Sequence, residues 1–127
     1  NTGDYSAATN TGVYSAATNT GDYSAATNTG VYSAATNTGD YSAATNTGVY
    51  SAATVSGKES FAIATGVNGK AKGALGCYIA CAEWTQDENF DWHIKNFKAA
   101  KVDGKKIKAD TWYTVRGGKF VEIKDEQ

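Results

Sequence analysis

From Asn1 to Thr54 the chain never places more than two hydrophobic residues in a row, and its hydrophobic positions recur with a period of nine. NTGDYSAAT fills positions 1–9 and NTGVYSAAT positions 10–18, and the two alternate without error through Thr54. Only the fourth position differs, Asp4, Asp22 and Asp40 against Val13, Val31 and Val49, so the true period is 18. The register persists where the similarity drops. VSGKESFAI (55–63) and ATGVNGKAK (64–72) keep Ser/Thr-Gly at positions two and three and Ala62 and Ala71 at position eight, giving eight nonapeptides in four pairs. A helix is disfavoured, because every perfect unit carries Gly, which costs about 1 kcal/mol relative to Ala in a helix interior. The fixed period, with an aromatic in every perfect unit, argues against disorder. Local chemistry predicts a turn at Asn-Thr-Gly and a short strand through Tyr-Ser-Ala-Ala-Thr.

Two strands and two turns make an 18-residue coil. Coils stacked at about 4.8 Å pair each strand with its copies above and below, giving four coils roughly 19 Å tall. The expected fold is all-β: a two-sided parallel β-solenoid over 1–72, with perfect repeats in 1–54 and a degenerate coil in 55–72. An 18-residue coil places every Asp on one side and every Val on the other. The eight copies also suggest which side chains point inward. Position six is Ser or Gly (Ser6, Ser60, Gly69) and position eight is always Ala, so small residues fill the interior, with Tyr5, Ala7, Thr9 and their equivalents outside. Phe61 and Ile63 break this rule, which implies either cover from the following segment or an inverted assignment. Tyr5, Tyr23 and Tyr41 should stack in one column and Tyr14, Tyr32 and Tyr50 in another. The Asp4, Asp22, Asp40 column reads as a mild electrostatic cost unless solvent or a cation screens it.

From Gly73 onward the composition changes, and all three Trp, both Cys and the single His lie in 73–127. Strand patterns appear at Cys77 to Thr85, Phe90 to Val102, Lys105 to Ala109, Trp112 to Val115 and Phe120 to Ile123. Asp103-Gly104 and Gly117-Gly118 read as two-residue hairpin turns. The expectation is a C-terminal antiparallel β-meander capping domain, with Trp84, Trp92, Trp112, Phe90 and Phe97 closing the open end of the solenoid. Asn1 to Thr18 would be a bare edge, inviting end-to-end association or implying a missing upstream segment. A start at Asn1 suggests a processed or trimmed chain.

Composition removes several classes of function. With 12 basic against 13 acidic groups the formal charge is −1, which gives no electrostatic footprint for nucleic acid or an anionic membrane. The longest apolar stretch, within Ala74 to Ala82, is under half of the ~20 residues that span a bilayer, and no basic-plus-apolar leader precedes it. The chain reads as soluble. Reduced thiols suggest an intracellular setting or recombinant cytoplasmic expression.

The NTGDYSAAT units, the transition ESFAIATG and the segments KAKGALGCYIACAEW, VDGKKIKADTWYT and GGKFVEI together resemble a group of uncharacterised phage and gut-bacterial proteins. Those proteins carry NTGxxSAAT arrays ahead of the same kind of C-terminal segment. The resemblance covers essentially the whole chain and implies no established activity. SFAIATG is also similar to the SVAIG repeats of trimeric adhesin heads, whose coils are shorter than the ones expected here. Natural arrays of the first group vary at positions four and five, so the strict alternation implies an engineered consensus array on a natural cap.

Candidate chemistry is sparse. Cys77 and Cys81 flank YIA on one side of a strand, too far apart to bridge, and read as buried reduced thiols. With His93 they lack a clear fourth metal ligand, and no orienting third group completes a Cys/His nucleophile. Asp87, Glu88 and Asp91 read as a solvated acidic loop. Calcium-binding rolls need an Asp in every turn of a GGxGxDxUx pattern, which these units lack. No cofactor, metal or catalytic residue is expected. The Thr9-Asn10-Thr11 ladders are similar to ice-binding surfaces, but a turn at Asn-Thr-Gly would split each Thr pair across a corner. The Tyr columns at Tyr5, Tyr14, Tyr23, Tyr32, Tyr41 and Tyr50 suit either stacking or contact with glycan or protein. The leading expectation is a structural repeat scaffold without catalysis. A binding module using the Tyr ladders is second and ice binding third, with self-association through the N-terminal edge or the Tyr faces.

Overall fold

The computed structural model describes residues 4, 5, 7–14, 16–32 and 34–123. All of its regular structure is β. Eight four-residue strands come first: β1 (Ala7–Asn10), β2 (Ala16–Asn19), β3 (Ala25–Asn28), β4 (Ala34–Asn37), β5 (Ala43–Asn46), β6 (Ala52–Val55), β7 (Phe61–Ala64) and β8 (Lys70–Gly73). Longer strands β9 (Tyr78–Gln86) and β10 (Trp92–Lys101) follow, then β11 (Tyr113–Arg116) and β12 (Lys119–Glu122). Through β9 the odd and even strands separate into two sheets, ordered β1-β3-β5-β7-β9-β10 and β12-β11-β8-β6-β4-β2, with β10 added to the first and β11 and β12 to the second. Within the array each strand pairs in parallel with its copy one full period on, Ala25 with Ala43 and Ala35 with Ala53. The fold is thus a two-sided β-solenoid of about four turns, with antiparallel strands at its C-terminal end.

The turn lies later in each unit than the sequence expectation places it. Strands β1 to β5 run Ala-Ala-Thr-Asn, and in the perfect repeats the corner falls on Gly-Asp/Val-Tyr. Asn belongs to the strand because its amide is needed inside it. Asn28 and Asn46 are buried and donate from Nδ2 to the carbonyls of Ala34 and Ala52, each at 2.7 Å, spanning the corner that follows. Asn37 donates to Ala43 in the same way and also to the Ser24 carbonyl at 3.3 Å. Tyr, not Gly, takes the left-handed conformation in the corner: φ is 56° at Tyr23 and 57° at Tyr32. That conformation costs about 1–2 kcal/mol for a residue with a Cβ. It aims the Tyr23 amide at the Asp40 carbonyl and the Tyr32 amide at the Val49 carbonyl of the next coil, both at 3.0 Å. Glycine answers a different demand, close stacking. A Cβ on Gly39 would lie 2.0 Å from the Gly21 carbonyl oxygen.

The inward assignment of Ser and Ala holds. Ala26, Ala35, Ala44, Ala53, Ala62 and Ala71 are fully buried, as is Ser60, while Ser24, Ser42 and Ser51 are nearly so. Ser6 lies outside the described residues, as do residues 1–3 and 15 of the expected bare edge. The Ser hydroxyls link coils: Ser51 Oγ donates to the Gly30 carbonyl at 3.0 Å, and Ser42 Oγ accepts the Ser24 amide at 3.0 Å. The Asp column is not the uncompensated cost that charge alone implies. Asp4, Asp22 and Asp40 accept the backbone amides of Asp22, Asp40 and Lys58 at 3.0, 2.9 and 2.8 Å, so every carboxylate clips its coil to the next.

The C-terminal strands form two hairpins, one added to each sheet. β9 joins β7 in parallel, Phe61 opposite Tyr78 and Ala64 opposite Cys81, before it pairs antiparallel with β10. Cys77 therefore takes the next serine seat, and its Sγ donates to the Gly57 carbonyl at 2.8 Å as Ser60 Oγ does to Gly39. Phe61 and Ile63 point outward, and Phe61 stacks on Tyr78 with centroids 5.4 Å apart. On the other sheet β11 pairs with β8 and β12. Lys105 to Ala109 is not a strand. The Asp103 carboxylate accepts the amides of Lys105, Lys106 and Ile107, and the Gly104 amide bonds the Ile107 carbonyl, which closes a tight loop in place of a hairpin.

Candidate functional site

Corners at Gly-Asp/Val-Tyr put the Tyr columns on the two narrow edges of the solenoid, where the sheets meet, and not on its flat faces. Tyr5, Tyr23 and Tyr41 follow one edge with centroid spacings of 5.1 and 5.4 Å; Tyr14, Tyr32 and Tyr50 follow the other at 5.2 Å per step. Ring planes within a column differ by 6° to 12°. The rings are about half exposed or more, yet each inner ring has both faces covered by its neighbours. Edges and hydroxyls remain for a partner; the π faces of the inner rings do not.

The flat faces carry Ala and Thr. Because Asn turns inward, the Thr residues on either side of it turn outward together. Thr27 and Thr29 flank buried Asn28, and Thr45 and Thr47 flank buried Asn46. The parallel ladder runs on through the second Thr, whose amide at Thr47 bonds the Asn28 carbonyl at 3.0 Å. The expected separation of the Thr pairs across a corner is therefore corrected: they share a face.

The aromatic residues expected to close the open end divide into two groups. Trp84 and Trp112 pack at the junction. Trp84 donates from Nε1 to the Thr65 carbonyl at 2.8 Å, and the Trp112 ring lies under the ammonium groups of Lys70 and Lys72 at 4.5 and 4.6 Å. Phe90, Trp92 and Phe97 are exposed, at 77%, 48% and 55%. The core is instead closed by Cys77, Ile79, Cys81, Val102, Ile107, Tyr113 and Val115, all buried. Of these the sequence marked only the two cysteines as buried; periodicity carried no signal for Ile79, Val102, Ile107, Tyr113 and Val115.

Cys77 and Cys81 are both buried and unbridged, and burial pushes the Cys81 thiol up to about 12. His93 is exposed, with Nε2 2.7 Å from Asp87 Oδ2. The His93 contact, followed by the Asp91 and Asn89 amides, holds the Asp87 carboxyl below its ordinary value. No cluster of three or more His, Cys, Asp or Glu able to hold a metal ion occurs among the described residues. No helix among them is long and apolar enough to cross a membrane.

One concave feature lies where the Val-bearing edge meets the cap. A cleft of about 210 Å³ is lined by Val67 and Asn68, Ala82 to Trp84, Trp92, and Thr114 to Arg116. Val67 and Asn68 are the fourth-coil counterparts of Val49 and Tyr50, so the Tyr14, Tyr32, Tyr50 column leads into it. Its carboxylate is fixed in place. Glu83 accepts Asn96 Nδ2 at 2.7 Å and the amides of Gly117 and Gly118 at 2.8 and 3.1 Å, which hold it below its ordinary value, the Asn96 bond contributing most. No protein-family model, no curated protein and no solved structure matches the chain. What the molecule defines is a class of architecture, the two-sided β-solenoid with an appended pair of hairpins.

Proposed function

We propose that the protein is a structural spacer, a rigid non-catalytic rod that sets a distance. The supporting observation is that the side chains recurring at each coil engage the neighbouring coil or span their own corner. Ser hydroxyls go to glycine carbonyls, Asn amides cross corners to Ala carbonyls, Asp carboxylates take the next coil's amide, and Tyr rings take each other's faces. Uniform units suit an engineered consensus array, and the resemblance to phage and gut-bacterial proteins suits a displayed element. Replacing Tyr14, Tyr32 and Tyr50 together by Ser removes two stacked pairs and should cost about 1–3 kcal/mol in urea unfolding. Unchanged stability together with loss of binding on a glycan or protein array would sink the spacer reading.

A second reading is favoured by the outward Thr pairs. Hydroxyl columns at about 7 Å along the strand and about 4.8 Å between coils form a regular lattice, the kind of surface that orders water at an ice front. Thr27→Lys with Thr45→Lys should abolish ice shaping if that reading holds. Ordinary ice growth in the presence of the unmodified protein would exclude it.

A further inference from the structure

Both binding readings of the repeats leave the cleft beside the cap unused. It combines groups that occur together nowhere else on the described surface: two of the three tryptophans and the single arginine of the chain. Trp84 and Trp92 are stacked on no other ring among the described residues, in contrast to the inner tyrosines Tyr23 and Tyr32, whose faces are both covered by neighbouring rings. Trp92 is half exposed, whereas the Trp84 indole is held on the Thr65 carbonyl. The floor is formed by buried Ala82, Thr114 and Val115, and Thr114 Oγ1 is already used on the Gly69 carbonyl at 2.8 Å. What remains for a ligand is a ring of planar polar groups. Among the described residues Arg116 makes no ion pair and Glu83 Oε2 accepts only the Gly117 amide, and the Asn68 amide is exposed at the corner.

This combination has a definite chemical complement. Flat aromatic rings pack against C–H-rich faces, while guanidinium, amide and carboxylate groups form paired hydrogen bonds with adjacent hydroxyls. The cleft is smaller than the roughly 300–1,000 Å³ of sites that take drug-sized ligands, and the charged wall disfavours an acyl chain. We infer that this cleft binds one pyranose ring of a carbohydrate, with Trp92 under the sugar face and Arg116, Asn68 and Glu83 on its hydroxyls. Glu83 can act as a fixed acceptor because the Gly117-Gly118 turn and Asn96 hold it in one orientation. The site would give the rod a sugar-recognising end, independently of whether the spacer reading stands.

The test is a titration of ¹⁵N-labelled protein with the methyl glycosides of glucose, galactose, N-acetylglucosamine and glucuronic acid, reading the three tryptophan indole N–H signals. With at least one glycoside, Trp92 and Trp84 should shift saturably in the millimolar range while Trp112, which does not line the cleft, stays in place. Trp92→Ala and Arg116→Ala should each weaken binding about tenfold or more with the melting temperature unchanged, as expected for exposed contact residues. The inference is overturned if no glycoside moves Trp92 up to about 50 mM, far above millimolar affinity. It is equally overturned if both variants bind as the unmodified protein does, or if Trp112 shifts in parallel with Trp92. None of these outcomes bears on the urea unfolding of the Tyr-column variant, so the two readings fail separately.

Discussion

The array and its C-terminal segment solve the same problem, holding short strands together, by opposite means. In the array the interior is Ala, Ser and Asn, and cohesion comes from polar side chains that repeat one bond per coil. In the cap the interior is Ile79, Val102, Ile107, Tyr113 and Val115, and burial of larger apolar groups at about 25 cal/mol per Å² carries more of the load. There the polar side chains act singly, three carboxylates each organising one loop: Glu83 at Gly117-Gly118, Asp87 at Asn89 to Asp91, and Asp103 at Lys105 to Ile107. A narrow interior can be stable when its polar groups are repeated in register; an irregular one needs bulk.

The most damaging single change should be Gly39→Ala, because its Cβ meets the Gly21 backbone oxygen at 2.0 Å and neither coil can give way alone. A loss of about 3 kcal/mol or more is expected in urea unfolding. Gly117→Ala in the cap meets nothing within 4 Å and carries only the cost of its φ of +61°, about 1–2 kcal/mol. Equal effects at the two glycines would dissolve the contrast between close stacking and loop conformation.

Next in size is Asn37→Ala, which removes the amide bonds to Ser24 and Ala43 inside the array. The expected cost is about 1–3 kcal/mol. Cys77→Ser is its counterpart in the cap. It restores the residue type of the seat below and should change stability by less than about 1 kcal/mol. A larger penalty would mean that the thiol's bond to Gly57 does not continue the serine ladder.

Acid should separate the two regions most gently. Glu83, Asp87 and Asp103 are held below their ordinary values of 4.5, 3.8 and 3.8, chiefly by the Asn96 amide, His93 and the Lys105 backbone amide respectively. Lowered folded values mean that the stability they contribute is present above those ordinary values and is lost as pH falls through the folded ones. The amide resonances of Gly117 and Gly118 should therefore move below pH 4.5 and that of Lys105 below pH 3.8, while those of Thr38 and Thr47, whose amides bond backbone carbonyls, report whether the coils follow. Simultaneous movement would show that the loops and the coils form one cooperative unit.

The period made the coil length, the two sheets, the inward Ser and Ala and the Tyr columns legible in the sequence. The corner was not. Asn-Thr-Gly has the local chemistry of a turn, and only the stacked structure reveals that the Asn amide reaches across the corner to the Ala carbonyl beyond it. Tyrosine in a left-handed conformation is equally opaque to local rules, since its compensation comes from rings one full coil away. The strand expected at Lys105 to Ala109 failed because one carboxylate, Asp103, captured the amides a ladder would need. The sugar-sized cleft had no sequence signal at all: Asn68, Trp84, Trp92 and Arg116 belong to four separate segments with no shared spacing.

Identical pairing at every coil has a genetic corollary. Inserting or deleting one whole period within the array changes the length of the rod by one rise, about 4.8 Å, and leaves each remaining contact as it was. Removing a single nonapeptide instead exchanges the sheets for everything upstream, so that Asp and Val fall in one column and the carboxylate clips no longer run as one unbroken ladder along one edge. Length in this protein is thus counted in whole numbers with a parity rule, and recombination between its repeats would be filtered for even steps.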